Sequence, residues 1–340
     1  MSCHIGKYKG ALAILLASAV VLSASVTAFY RSAVKAVPTQ ASFGASSETA
    51  KKNYIKYVEF NVPYIALKKA LNMDIESHKS GGNLSWVQIL AYLAAKYGGN
   101  FKRYKSSDMD AFVKKLETNS IGEITGNMKY YKYYEEAYSA VLGGLVGKYK
   151  ENGEEKYGLT GYSPIAKTFP YSDCDDFGVQ RTYGYTRPHL GHDMMAATGT
   201  PVIAVESGIV EALGWNQYGG WRIGIRSFDS KRYYYYAHLR QNRPYAKGLA
   251  EGQTVTAGDV IGYVGRTGYS SKENVNNIKV SHLHFGLELI FDESQKESNN
   301  EIWVDMYALT KLLRQHQSEI YRDDATKEYY RKSTIEISGK

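Results

Sequence analysis

The sequence predicts an α+β protein in three parts: an N-terminal apolar segment, a small all-α domain and a C-terminal all-β domain of antiparallel strands. Three observations lead there. Ala11 to Tyr30 carries no charge. Apolar residues then recur at helical spacing from about Tyr54 to Lys150. Beyond Tyr157 that periodicity gives way to short apolar runs separated by glycine, proline and polar turns. With 340 residues, 44% of them hydrophobic, the chain can build a sizeable core and more than one domain.

Residues 1–31 read as a signal peptide or membrane anchor. Lys7 and Lys9 give a basic start, and residues 11–30 match the roughly 20 apolar residues that cross a bilayer. Val26-Thr27-Ala28 offers a small-residue cleavage site. The two lysines favour an inside start and an outside body, so an extracytoplasmic protein is expected, secreted or held by its anchor. Cys3 and Cys174 fall on opposite sides of this segment, so no intramolecular disulfide is expected, and Cys174 reads as a small, partly buried hydrophobe. Residues 32–53, rich in Ser, Ala and Thr, form a linker.

Residues 54–152 are expected to fold as the helical domain. Val62 to His78 places Tyr64, Leu67, Ala70 and Leu71 on one stripe. Leu84 to Tyr97 does the same with Val87, Leu90, Leu93 and Ala94, and Gly98-Gly99 stops it. Ser107 suits the N-cap of a third helix containing Met109, Phe112, Val113 and Leu116. The Tyr-rich stretch Lys129 to Lys150 reads as a longer helix, and His78 as a solvated helix end. This domain shows no catalytic constellation; it reads as a binding or regulatory part whose protein partners the sequence does not name.

Residues 160–318 are expected to form the all-β domain. Strands are expected at Pro201–Val205, Gly208–Leu213, Trp221–Arg226, Arg232–Ala237, Val260–Val264 and His284–Ile290. A closing helix from Asp305 to about Ser318 has Met306, Leu309, Leu312 and Leu313 on its inner stripe, and residues 319–340 read as a loosely held charged tail. Tyr233 to Tyr236 must alternate faces in their strand, so two of the four face one side and two the other. Trp215, Trp221 and Trp303 read as packing residues. Gly258 to Gly268 lacks the Gly-Lys-Ser/Thr ending of a phosphate loop and reads as a hairpin of tight turns.

Five of the eight histidines lie between positions 189 and 284, in three short motifs. His189 and Asp193 belong to the first, placed in a Gly-containing turn before the first strand. His238 stands alone in the second, and His282 and His284 make up the third. Residues at i and i+2 of a strand share a face. One of His282 and His284 can therefore bind a metal while the other reaches a substrate. Two histidines and an aspartate suit zinc with an open fourth position, where water becomes more acidic. His192 points away from Asp193 in an extended segment and reads as a supporting or partly exposed residue. The net charge of +8 draws the chain to acidic surfaces, but no basic cluster resembles a nucleic-acid reader, so nucleic acid is not an expected partner.

The run His189-x-Gly191-x-Asp193, then Gly199-Thr200-Pro201-Val202-x-Ala204 and Gly208-x-Val210, resembles the lysostaphin-type (LytM-type) zinc metallopeptidases. Tyr236-Ala237-His238-Leu239, the segment Val255 to Gly268, and His282-Leu283-His284-Phe285 extend the resemblance over about residues 169–312. It implies a lysostaphin-like fold, one Zn2+ held by His189, Asp193 and His284, and a catalytic pair of His238 and His282. It also implies endopeptidase activity on the stem or cross-bridge peptides of peptidoglycan, at a bacterial cell envelope. A competing expectation is a non-catalytic wall-binding scaffold, or an activator of another hydrolase, built on the same fold. The family commonly has an apolar residue where this chain has His192.

Overall fold

The computed structural model describes residues 54–337 apart from 184, 297 and 299. The apolar segment and the linker therefore lie outside the described residues. Helices α1 (Tyr64–Lys79) and α2 (Trp86–Tyr97) follow the expected stripes, burying Leu67, Ala70 and Leu71 from one and Leu90, Leu93 and Ala94 from the other. Ser85 and Gln88 close a capping box on α2, and Gly98, left-handed at φ 62°, ends it. Helix α3 (Ser106–Leu116) starts just before the expected cap Ser107, with Lys105 as its N-cap residue. Helices α4 (Ile121–Thr125) and α5 (Tyr131–Leu142) complete this part. His78 does not stand in solvent, since its ring stacks on Tyr157 with centroids 3.7 Å apart.

Helix α5 stops at Leu142 rather than reaching Lys150. Gly143-Gly144 removes helix propensity at that point, and the chain turns into a hairpin of β1 (Val146–Glu151) and β2 (Glu154–Leu159). Asn152 and Gly153 form its turn, both at positive φ, as two-residue hairpin loops require.

The strands that follow are β3 (Tyr171–Asp173), β4 (Gln180–Tyr183), β5 (Tyr185–Pro188), β6 (His192–Ala196), β7 (Pro201–Ile203), β8 (Gly208–Asn216) and β9 (Gly220–Ser227). Then come β10 (Arg232–Ala237), β11 (Thr254–Val255), β12 (Val260–Tyr263), β13 (His282–Leu289) and β14 (Ile302–Val304). The main sheet is antiparallel in the order β11-β8-β9-β10-β13-β6-β3, with β14 added on β13. Its registers give it two unlike faces. Ile223, Ile225, Tyr234, Tyr236, Leu283, Phe285 and Leu287 are fully buried on one. Arg222, Tyr233, Tyr235, His282, His284 and Asp193 alternate onto the other.

Helix α6 (Tyr307–Leu313) is shorter than the expected Asp305–Ser318 segment. After it His316 donates Nδ1–H to the Gly161 carbonyl at 2.8 Å, and the buried Ser318 donates to the Gly258 carbonyl at 2.7 Å. Side-chain bonds to distant loops thus replace the helix's last turn. The charged C-terminal segment is not loosely held: β15 (Ile320–Arg322) pairs with β16 (Tyr329–Arg331), and β17 (Ile335–Ile337) joins β1. Glu328 is buried there, accepting from Arg243 and Tyr263. One hydrophobic core runs without a break from the helices into the sheet. Among the described residues, no helix is long and apolar enough to cross a membrane.

Candidate metal centre

Strands β6 and β13 pair so that Asp193 lies directly opposite His284, which puts both side chains on the outer face. Asp193 is thus a strand residue, not a turn residue. His189 enters from the segment before β6, its backbone N–H bonded to the Val179 carbonyl at 2.9 Å and its carbonyl accepting from Gly178 at 2.8 Å. Three ligand-capable atoms converge. His189 Nε2 lies 3.0 Å from Asp193 Oδ1, His284 Nδ1 lies 3.0 Å from the same oxygen, and the two nitrogens are 2.9 Å apart. Ligands about 2.0–2.1 Å from a tetrahedral zinc sit roughly 3.3 Å from one another, so this near-equilateral triangle fits such an ion. Two imidazoles and one carboxylate are also a donor set zinc accepts.

Hydrogen bonds settle where the ring protons lie. A carbonyl oxygen only accepts, so a ring nitrogen facing one must carry the proton. His238 donates Nδ1–H to the Thr267 carbonyl at 2.9 Å, and His282 donates Nδ1–H to the Val280 carbonyl at 2.8 Å. His189 Nδ1 faces the Asp176 carbonyl at 3.3 Å and the Asp176 carboxylate at the same distance. In its neutral form each of these rings therefore presents a lone pair at Nε2. For His189 that lone pair belongs to the triangle. The His238 ring lies 4.8 Å from His282 and 5.8 Å from His284, centroid to centroid. His238 sits at φ 61°, a strained left-handed conformation, with its N–H tied to the Gly219 carbonyl at 2.7 Å.

The electrostatics are those of a buried carboxylate among imidazoles. Burial pushes Asp193 up, but its bonds to His189 and His284 and the nearby His282 outweigh that and hold it well below the usual carboxylate range. For His189 burial works against the charge, yet hydrogen bonds to Asp176 and Asp193 raise it to about 9. Burial, reinforced by His282 and His284, pushes His238 well below the ordinary imidazole value. Burial also lowers His284, with Asp193 only partly offsetting it. Arg181 Nη2 donates to Asp193 Oδ2 at 3.3 Å and to Asp176, so the carboxylate has one oxygen in the triangle and one on a guanidinium.

His192 stands apart, as the strand alternation implies. It is buried on the core face, its Nε2 lies 3.0 Å from Asp173 Oδ2, and its ring meets Tyr307 edge-on. The tyrosine run splits as expected: Tyr234 and Tyr236 fill the core, while Tyr233 and Tyr235 line a cleft of about 420 Å³ beside His284. Burial pushes the Tyr235 hydroxyl up to about 12, so it keeps its proton at neutral pH. Trp303, expected to be a packing residue, forms a wall of this cleft. Gly286 makes room for it, since a Cβ there would meet Trp303 Cζ3 at 2.7 Å. Gly224 does the same for Tyr233, whose hydroxyl would lie 2.0 Å from an added Cβ.

Sequence reasoning did not single out Asp176, Arg181 or Thr267, which orient the histidines and the aspartate. The β4–β5 hairpin that carries Arg181 is a polar strand pair without an apolar period.

Residues 187–299 match the family model described as Peptidase family M23. An L-Ala–D-Glu endopeptidase of Bacillus subtilis is 41% identical over 124 residues, 36% of this chain and 36% of that protein. Lysostaphin of Staphylococcus simulans is 37% identical over 98 residues, 28% of this chain and 17% of that protein. The chain thus spans about a third or less of the length of these curated relatives. A crystal structure from Ruminococcus gnavus, assigned as a glycyl-glycine endopeptidase lytM, is similar with a TM-score of 0.51 and 25% identity. That likeness covers 76% of this chain and 89% of the other, more than the sheet region alone provides.

Proposed function

We propose, from the premise that residues 187–299 are a peptidase family M23 domain, that this chain is a zinc-dependent endopeptidase acting on the stem or cross-bridge peptides of peptidoglycan. The convergence of His189 Nε2, Asp193 Oδ1 and His284 Nδ1 carries this reading. These three would hold the ion. When bound there, zinc would supply Lewis acidity to the scissile carbonyl and would make water a stronger acid.

The chain's own residues handle the protons. With Nδ1–H committed to carbonyls, His238 and His282 exchange protons only at Nε2. One ring takes the proton of the attacking water and delivers it to the departing amine. The other, beside it, stabilises charge on the carbonyl oxygen. Tyr235, which keeps its hydroxyl proton, stands edge-on to His284 at 6.0 Å as a further donor on the cleft side.

The names of the relatives, which include an L-Ala–D-Glu endopeptidase and lysostaphin, support a cell-wall peptide as substrate. Such a substrate requires work outside the cytoplasm, with residues 11–30 as leader or anchor. A net charge of +8 suits an anionic wall. A full donor set with ordered tautomers favours a hydrolase over a non-catalytic scaffold. The test is mass spectrometry of isolated wall material digested with the zinc-loaded chain. New amino termini that vanish in His284→Ala are expected. No new termini, or undiminished release by a metal-free His284→Ala protein, would sink the reading.

A further inference from the structure

The cleft beside the metal centre carries two cations that the proposed proton transfers do not use. Arg187 and Arg222 both line it, together with His284 and Tyr235. Arg187 comes from the β4–β5 hairpin and also borders the metal centre itself, whereas Arg222 comes from β9. Both positive charges act on the hydroxyl of Tyr235, whose ring stands edge-on to His284 in the same cleft.

Three other half-buried or buried arginines of the chain have carboxylate partners. Arg181 has Asp176 and Asp193, Arg226 has Glu211 and Glu293, and Arg232 has Glu206 and Asp229. Among the described residues, no carboxylate forms an ion pair with Arg187 or Arg222. Arg187 lies over the rings of Tyr218 and Tyr269, at 5.0 and 5.6 Å, and donates Nη2 to the Tyr269 hydroxyl at 3.2 Å. The Nε–H groups of both Arg187 and Arg222 are buried without an acceptor. A buried donor left so is costly, more so on a charged group. Arg181 also sits directly opposite Arg187 in the hairpin, and like charges across a strand pair repel. The third cation of the cleft, Lys296, is engaged by Glu211. The cleft also holds Glu288 and Glu301, the latter accepting from Trp303 Nε1, yet neither forms an ion pair with Arg187 or Arg222.

Resting on the reading of the chain as a wall endopeptidase, we propose that Arg187 and Arg222 bind a carboxylate on the substrate residue next to the scissile bond. This selects acidic stem peptides over neutral glycine bridges. The anion belongs to the peptide because the two guanidiniums share their cleft with His284, where the scissile bond must lie. A planar guanidinium matches a carboxylate through two parallel N–H bonds, which a carboxamide cannot accept in the same way.

The test uses the zinc-loaded full chain and synthetic Ala–Glu–Lys peptides with a γ-linked glutamate. The glutamate α-carboxyl is either free or a carboxamide, and each form is made with a free or amidated C-terminus. Binding is measured by calorimetry and kcat/KM by chromatography. The free-carboxyl form is expected to be preferred by about tenfold or more in both. Arg222→Gln and Arg187→Gln should bring that ratio close to one, Arg222→Lys should keep part of it, and C-terminal amidation should leave it unchanged. The ratio is read within each variant, so a general loss of folded protein does not imitate the result. Equal treatment of acid and amide by the unaltered chain overturns the proposal, as does a preference that survives Arg222→Gln or follows the C-terminal carboxyl. If no peptide is cleaved but the acid still binds preferentially and Arg222→Gln erases this, the endopeptidase reading fails while carboxylate recognition stands.

Discussion

Arg232 grips Glu206 through two contacts, Nε to Oε2 at 2.7 Å and Nη2 to Oε1 at 3.2 Å, with both side chains only 1% exposed. The same guanidinium donates Nη1 to the Ala140 carbonyl at 2.8 Å near the end of α5, and Tyr234 donates its hydroxyl to Glu206 Oε2 at 2.8 Å. One buried network therefore ties the helices to the sheet that carries the metal centre. Breaking a buried pair from one side leaves an uncompensated charge, so Arg232→Ala is expected to lose about 3–5 kcal/mol of stability. Replacing both partners with apolar residues should lose less than the single change. Urea unfolding of the singles and the double measures this, and additive losses would contradict it.

Asp74 makes a smaller junction of the same kind. Its carboxylate accepts from the Trp86 N–H at 2.8 Å, at the start of α2, and from the Tyr157 hydroxyl at 2.6 Å, on β2. Burial raises its pKa from the ordinary aspartate value, and the two hydrogen bonds only partly counter this. The folded chain therefore holds this proton more firmly than the unfolded chain. Its contribution to stability is fully present below the ordinary aspartate pKa and is lost as pH rises through the raised folded value. Asp74→Asn should flatten that part of the stability profile. Asp74→Ala should instead cost about 1–3 kcal/mol by stranding the Trp86 N–H. Melting temperatures across acidic to neutral pH, compared with the unaltered chain, check both.

What the sequence discloses follows from which constraints are local. Helices α1 and α2 were readable because an apolar stripe and a glycine stop lie within one segment. The histidine motifs were readable because metal chemistry demands particular side chains at short spacing, and alternation along β6 correctly turned His192 away from Asp193. The β1–β2 hairpin was missed although Asn152-Gly153 is a strong turn signal, because the tyrosine-rich helix before it invited extension. Arg181 and Asp176 were not readable, since their roles exist only once the β4–β5 hairpin folds over β6. The C-terminal strands were hidden for the same reason: β17 is only three residues long, and only its distant partner β1 makes it a strand.

The division of labour among the histidines gives a sharper expectation. His284 contributes Nδ1 to the converging triangle, whereas His282 Nε2 stays 3.7 Å from Asp193 Oδ1. His284→Ala is therefore expected to lose bound zinc and activity together. His282→Ala should keep about one zinc per chain while kcat falls by roughly 10²–10⁴. Metal analysis of the purified variants beside wall-hydrolysis rates separates the two. A zinc-free His282→Ala protein would reverse the assignment.

Arg181 offers the last discriminating pair, with His192. Arg181 holds the Asp193 oxygen that faces away from the triangle, so it fixes the carboxylate's orientation without being a ligand itself. Losing such an outer partner typically weakens a metal about 10–100-fold, and Arg181→Ala is expected to fall in that range. His192 is a neighbour in sequence but sits on the opposite face, bonded to Asp173. His192→Ala should leave zinc affinity unchanged and lower stability instead, because it strands the Asp173 carboxylate and opens a void against Tyr307. Competitive zinc titration with a chromophoric chelator, run beside thermal melts, reads both effects. Equal zinc loss in the two variants would mean that proximity along the chain, rather than the face of β6, decides whether His192 serves the centre.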